Sequence, residues 1–361
     1  MQRLEVNEII KLIELEKPFE ATVTDGSFSI KVNRYLPYCC TAIHDGSNFR
    51  KSLVGKINLD GYNRWYEEDP FTGDFIASMP ITLIGNDSRY EYDLNRSTDG
   101  CVLEEAWGKQ VWKTKLTPKE ILISKQKHTN YYKVTFALIK KLEELFDGCV
   151  VYDIHSYNKE RWDRKVPLFN IGTERVDANK FGRVIGHWEK ELSKIVLPDI
   201  ENTTAINDVF QGRGYNLEFI TANFNKTLVL ATEVKKVYCN ELTGDNYPKV
   251  IKLLQQKLKK AILNNANYFS QNLTNWKHNG QSKLLSRNID NSILHVDKGM
   301  HRLLKNFELL AFVNPINSTT EKRKFFKSQY TEPPKFRYSP IKINPYELKQ
   351  ELHSLKVQYI S

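Results

Sequence analysis

Apolar positions along the chain recur at two spacings, and their succession predicts a sheet covered by helices. The opening segment, MQRLEVNEIIKLIELEKPFE, reads as an amphipathic helix with charges throughout. Residues 20–35 (EATVTDGSFSIKVNRY) alternate around Asp25-Gly26, the pattern of a β-hairpin. Short strands are expected at 39–43, at 80–85 (PITLIG) and at 89–94 (RYEYDL). Thr117-Pro118 starts and Asp147-Gly148 stops a long helix predicted over 118–147. CVVYDI (149–154) follows as an apolar, β-branched strand, and LVLATEV (228–234) reads as a second buried strand. Helices are expected over 176–195 and 247–268. Apolar strands separated by helices predict an α/β fold: a mixed, mostly parallel central sheet with helices on both faces. In such sheets function collects where the chain leaves the carboxyl ends of strands. Two exits carry chemical groups, His155 after CVVYDI and Glu233 near the end of LVLATEV.

Past residue 275 the texture changes. Residues 284–312 are helix-like and basic, 313–340 are rich in Pro, Ser, Thr and aromatics, and 344–355 predict a last short helix. A main body over 1–275 and a helical or irregular appendage over 276–361 are therefore expected.

Composition narrows this picture. The 361 residues fit one large α/β domain or a domain with an appendage, and a 40% apolar share is enough for a core. The net charge of +10 admits a polyanionic partner. Its basic residues are scattered rather than clustered, which counts against nucleic acid and is compatible with an acidic small substrate. Five cysteines, with no CxxC pair, argue for a reducing compartment. No apolar run is long enough to span a membrane, and the first residues lack the core of a signal peptide. A cytosolic protein is the expectation.

Five stretches could carry chemistry. Asp153-Ile154-His155-Ser156-Tyr157-Asn158 puts an imidazole at a strand end, with Asp153 two residues back on the same face; a metal ligand and a turn histidine are equally compatible. Ile43-His44-Asp45-Gly46 is a second strand followed by a histidine, a candidate second ligand once paired with His155. Glu67-Glu68-Asp69-Pro70 could add a carboxylate, although composition alone favours a solvated acidic loop. In SRYEYDLNR (88–96), Arg89, Glu91, Asp93 and Asn95 share one face if the strand is regular; the stretch suits a carboxylate clamp or an edge strand with salt bridges. Glu233 inside an apolar strand is either a general base or a rim partner of a lysine. The histidines at 128, 187, 278, 295, 301 and 353 are expected on helix surfaces or in the appendage.

Together and in this order, the stretches resemble the N-formylglutamate amidohydrolases, a family related in fold to the zinc carboxypeptidases. SRYEYDLNR and DIHSYN carry most of the likeness, with IHDG (43–46), EEDPFTG (67–73), NIGT (170–173), VFQGRG (209–214) and TEVKKVYCNELTG (232–244) in support. The resemblance spans roughly residues 35–245. It implies a zinc ion held by His44, His155 and an acidic residue, Asp69 in preference to Glu68. It implies Arg89 polarising the scissile carbonyl, Asn95 and Arg96 holding a substrate carboxylate, and Glu233 as general base and acid. Tyr157 and Arg213 are further candidates for substrate contact. The implied reaction is hydrolysis of an amide or formamide in a small carboxylate-bearing or peptide substrate. A degenerate hydrolase fold that only binds nucleic acid or a partner protein is the competing expectation. VNPINS (313–318) and FRYSP (336–340) weakly resemble the opening of metallopeptidase-like domains known by a QEGLP motif, whose histidine-bearing part has no counterpart here.

Overall fold

The computed structural model describes residues 1–284, with side chains to residue 272. In chain order its elements are β1 (Gln2–Leu4), α1 (Val6–Glu14), β2 (Phe19–Val23), β3 (Phe28–Val32), β4 (Tyr38–Ala42), α2 (Lys51–Val54), α3 (Gly61–Glu67), α4 (Thr72–Ile76), β5 (Ile81–Gly85), β6 (Glu105–Ala106), β7 (Lys109–Gln110), α5 (Pro118–Phe146), β8 (Cys149–Tyr157), β9 (Phe169–Gly172), α6 (Ala178–Ser193), β10 (Thr204–Ile206), α7 (Tyr215–Asn223), β11 (Thr227–Lys235) and α8 (Pro248–Leu284). Nine strands form one sheet in the order β1-β2-β3-β5-β4-β8-β11-β9-β10. Five of its eight pairings are parallel, which makes it mixed and mostly parallel as expected.

β8 lies at the centre and is buried along its whole length. Its alternation sets up two layers. Val150, Tyr152 and Ile154 pack toward α4, α6 and α8, where Trp188 lies against Tyr152 with ring centroids 5.0 Å apart. Burying each such ring contributes about 2–3 kcal/mol. On the other face α5 contacts α1, and its Tyr132 meets Phe219 of α7 at 4.6 Å. That face also carries Asp153 and His155. α5 begins with a capping box between Thr117 and Glu120 and ends at Asp147 in the left-handed region (φ 61°).

Three expectations need correction. Residues 89–94 form no strand. They run as turns, because Ser88 and Asp93 turn their side chains onto nearby backbone: Tyr90 N–H donates to Ser88 Oγ and Asn95 N–H to Asp93 Oδ1. β8 extends through Tyr157, so His155 lies inside the strand rather than in a loop after it. The opening helix is preceded by a short strand, β1, which pairs with β2. α8 continues past residue 275 to Leu284, and the rest of the expected appendage over 276–361 lies outside the described residues. Among the described residues no helix is long and apolar enough to cross a membrane.

Candidate metal centre and cleft

The carboxyl ends of β4, β8 and β11 converge on one buried group. His44 follows β4, His155 lies in β8, and Glu233 is the register partner of His155 on β11. Asp69 enters from the loop after α3, where its N–H donates to the carbonyl of His44 at 3.0 Å. The turn behind it is held by Asp45, whose Oδ1 accepts from the N–H of Gly73 at 2.9 Å. The acidic loop is thus not solvated: Glu68 and Asp69 are both buried.

His44, Asp69 and His155 bring one ligand atom each within 4.8 Å of one another. The Nδ1 atoms of the two rings face the same oxygen, Asp69 Oδ2, at 3.4 Å for His44 and 3.2 Å for His155. Each Nε2 points outward to a different buried carboxylate. His44 meets Asp93 at 2.7 Å and His155 meets Asp153 at 3.0 Å. These outer partners are fixed in turn, Asp153 by the Thr41 hydroxyl at 2.6 Å and Asp93 by Arg89 Nη2 at 2.9 Å. Every imidazole nitrogen therefore faces a carboxylate. A neutral imidazole has one N–H, so it can donate to only one of its two partners. A cation between the Nδ1 atoms and Asp69 would satisfy the inner side and leave each Nε2–H for its outer carboxylate. Two imidazoles and a carboxylate are also a donor set that suits zinc.

Burial opposes ionisation of Asp69, but its contacts with both rings outweigh that and hold its pKa below the ordinary carboxylate range. Asp93 is depressed in the same way, burial being overcome by Arg89 and His44. His155 is raised because Asp153 and Asp69 outweigh its burial. Glu233 moves the opposite way, to about 8, because burial and the negative charge of Asp69 and Asp153 outweigh His155 and Arg89. It is the one carboxyl of the group held toward its neutral form.

A cleft of about 320 Å³ opens on the cluster. Arg89, Asn95, Arg96, Tyr157, Arg213 and Glu233 all line it, so the structure brings those candidates together. Their availability differs. Arg89 is committed through both Nη atoms, to Asp93 and to the Glu67 carbonyl. Its buried Nε takes no partner. Asn95 is partly a structural cap: its carbonyl accepts from Tyr215 N–H at 3.2 Å and its Oδ1 from Asn216 N–H at 3.4 Å, at the start of α7. Tyr157 gives its hydroxyl to the Pro167 carbonyl and offers only its ring. Arg213 stands exposed and paired with Glu174 at 2.6 Å. Glu68 is no part of the cluster, because its carboxylate is taken by the Ser88 hydroxyl.

Sequence reasoning missed several residues. Asp93 was read only as one of a row, because its tie to His44 spans 49 positions. Trp107, Arg161 and Trp162 line the cleft with no motif to mark them, and Phe210, inside VFQGRG, lines it too without having been singled out. His128 is buried, against the surface expectation; its Nε2 meets the carbonyl of Arg96 at 2.9 Å. Burial lowers its pKa to about 4. His187, also expected on the surface, is partly buried and stacks on Tyr268 at 4.2 Å.

Residues 36–235 match the family model described as N-formylglutamate amidohydrolase. No curated protein matches the chain. Among solved structures, an N-formylglutamate amidohydrolase from Ralstonia eutropha JMP134 is similar at 18% identity and TM-score 0.57, over 68% of this chain and 98% of that one. A gene product from Agrobacterium tumefaciens is similar at 12% identity and TM-score 0.51, over 66% and 95%. At these identities the likeness concerns the fold.

Proposed function

The chain belongs to the N-formylglutamate amidohydrolase family, and from that premise we propose that it is a zinc-dependent hydrolase of an amide or formamide bond in a small, carboxylate-bearing substrate. The observation that carries the reading is the convergence of two histidine Nδ1 atoms on Asp69, with a half-buried glutamate beside them on the next strand. When bound, zinc supplies a Lewis acid for the scissile carbonyl and brings the pKa of a water to about 7.

The chain's own residues do the rest. In its ionised form, which a cation beside it would favour over the neutral form that burial and Asp69 favour, Glu233 takes the proton of the attacking water and returns it to the leaving nitrogen. The buried Nε–H of Arg89 is the donor left for the developing oxyanion. Arg96 lines the cleft, and its guanidinium takes no partner among the described residues, so it is available to grip a carboxylate. Asp93 and Asp153 orient the imidazoles.

Elemental analysis of protein purified without chelator tests the proposal. About one zinc per chain is expected, since His44, Asp69 and His155 make one three-ligand set of the kind that holds a catalytic ion, and His155→Ala should lose it. A folded protein that takes up no metal even after zinc is added would remove the metal from the mechanism.

A further inference from the structure

We propose that the acid accepted by this cleft carries one carboxylate and an aromatic side chain: an N-acyl aromatic amino acid rather than an N-acyl glutamate. The proposal rests on the hydrolase reading for its chemistry, but its argument comes from the cleft walls.

The cations come first. Arg89 is engaged by Asp93 and the Glu67 carbonyl. Arg161 is paired with the Glu67 carboxylate at 2.5 Å. Arg213 is paired with Glu174. Lys236 is buried and donates to the carbonyls of Tyr66 at 2.6 Å and Glu68 at 2.8 Å. Arg96 alone among the cleft's cationic side chains has no partner in the described residues. One free guanidinium matches one carboxylate. A second carboxylate, as on glutamate, would have to break an existing pair.

The remaining wall is aromatic. Trp107, Tyr157, Trp162 and Phe210 line the cleft. Trp107 and Phe210 keep 42% and 37% of their surface open to solvent, although each is held on a fixed backbone. Phe210 is pinned by Asn170, which is buried: Asn170 Nδ2 donates to the Phe210 carbonyl at 2.7 Å, and its Oδ1 accepts from the N–H groups of Asp208 and Val209 at 2.9 Å. The Phe210 ring packs edge-on against Tyr157 at 5.6 Å and against Trp162 at 6.4 Å, and its exposed part lines the cleft. Trp107 sits at φ 51°, costly for a bulky residue, in a tight turn that places its ring 4.9 Å over Arg89. Aromatic surface that is rigid, unburied and next to a polar anchor is how small-molecule sites recognise a flat apolar group.

Calorimetric binding of N-acetylphenylalanine, N-acetylglutamate, N-acetylalanine and N-acetylphenylalaninamide decides the matter, alongside turnover of the matching N-formyl compounds. The acetylated phenylalanine should bind about tenfold or more tighter than the glutamate, the scale on which a fitted apolar group discriminates. Its amide should lose about as much, through Arg96. Phe210→Ala, a change at an exposed ring, should weaken the phenylalanine compound several-fold and leave N-acetylalanine unchanged. Tighter binding of the glutamate, an unchanged preference in Phe210→Ala, or no binding of any compound would overturn the proposal. Binding as expected without turnover of any N-formyl compound would instead overturn the hydrolase reading and leave the pocket assignment standing.

Discussion

Glu233 had two readings in the sequence, a base or a rim partner of lysine, and its surroundings separate them. Among the described residues no lysine pairs with it. Lys235 reaches the Val166 carbonyl at 3.0 Å, and Lys236 the carbonyls of Tyr66 and Glu68. What faces Glu233 is His155, its neighbour across the β8–β11 pairing. Glu233→Gln should therefore keep the fold and the zinc while turnover falls by roughly 10²–10⁴-fold, the usual worth of a general base. Melting temperature, bound zinc and rate per folded molecule, read on one preparation, check it; near-native turnover would remove Glu233 from the reaction. At this scale the sequence was most legible where chemistry repeats within a strand. Asp153 and His155 share a face because strand side chains alternate, so their contact was foreseeable. The tie between His44 and Asp93 joins a strand exit to a turn-rich segment, and no local period reports it.

Among elements, β4, β5, β8, β11, α5 and α6 were readable because their apolar spacing agrees with their burial. The SRYEYDLNR segment was not. Its alternation imitates a strand, yet Ser88 and Asp93 bond to backbone within the segment, and the apolar side chains (Tyr90, Tyr92, Leu94) are buried without a ladder. The start of α7 was also missed, since Gly214 gives no side-chain cap and the cap comes from Asn95 instead. Two glycines give the contrast that tests these joints. A Cβ on Gly214 would fall 2.2 Å from Asn95 Oδ1, a side chain able to swing away. Gly214→Ala should then fold nearly normally but displace Asn95 and raise KM for the acid substrate. A Cβ on Gly172 would fall 2.5 Å from the backbone of Gly212, which cannot swing. Gly172→Ala should cost about 1–3 kcal/mol or more, the range for forced overpacking. Denaturant unfolding reads the second and substrate kinetics the first. Equal stability losses in both would show that the Asn95 contact is as rigid as backbone.

At the scale of the whole body formed by the described residues, the expected layering is present: a mixed sheet with helices on both faces and the polar cluster at the carboxyl ends of its central strands. Topology of this kind follows from alternation of strand and helix, and site placement from the sheet's rule that loops at those ends converge. What alternation could not supply is how the loops close over the site, since those contacts are side chain to backbone and long in sequence. The same closure would couple a bound metal to global stability. His44 follows β4, His155 stands in β8, Asp69 comes from the loop after α3, and Asp93 and Arg89 come from the turns after β5. An ion held there joins segments that unfolding would separate, so it binds the folded chain in preference to the unfolded one. At free zinc about 1,000 times its dissociation constant, that preference adds about 4 kcal/mol. For a body of this size the melting temperature should rise by roughly 10 °C. Chelation should reverse the rise. His155→Ala, which leaves only one imidazole, should melt at the same temperature with and without zinc. A zinc-dependent shift of equal size in that variant would place the stabilising ion elsewhere on the molecule, away from His44 and Asp69.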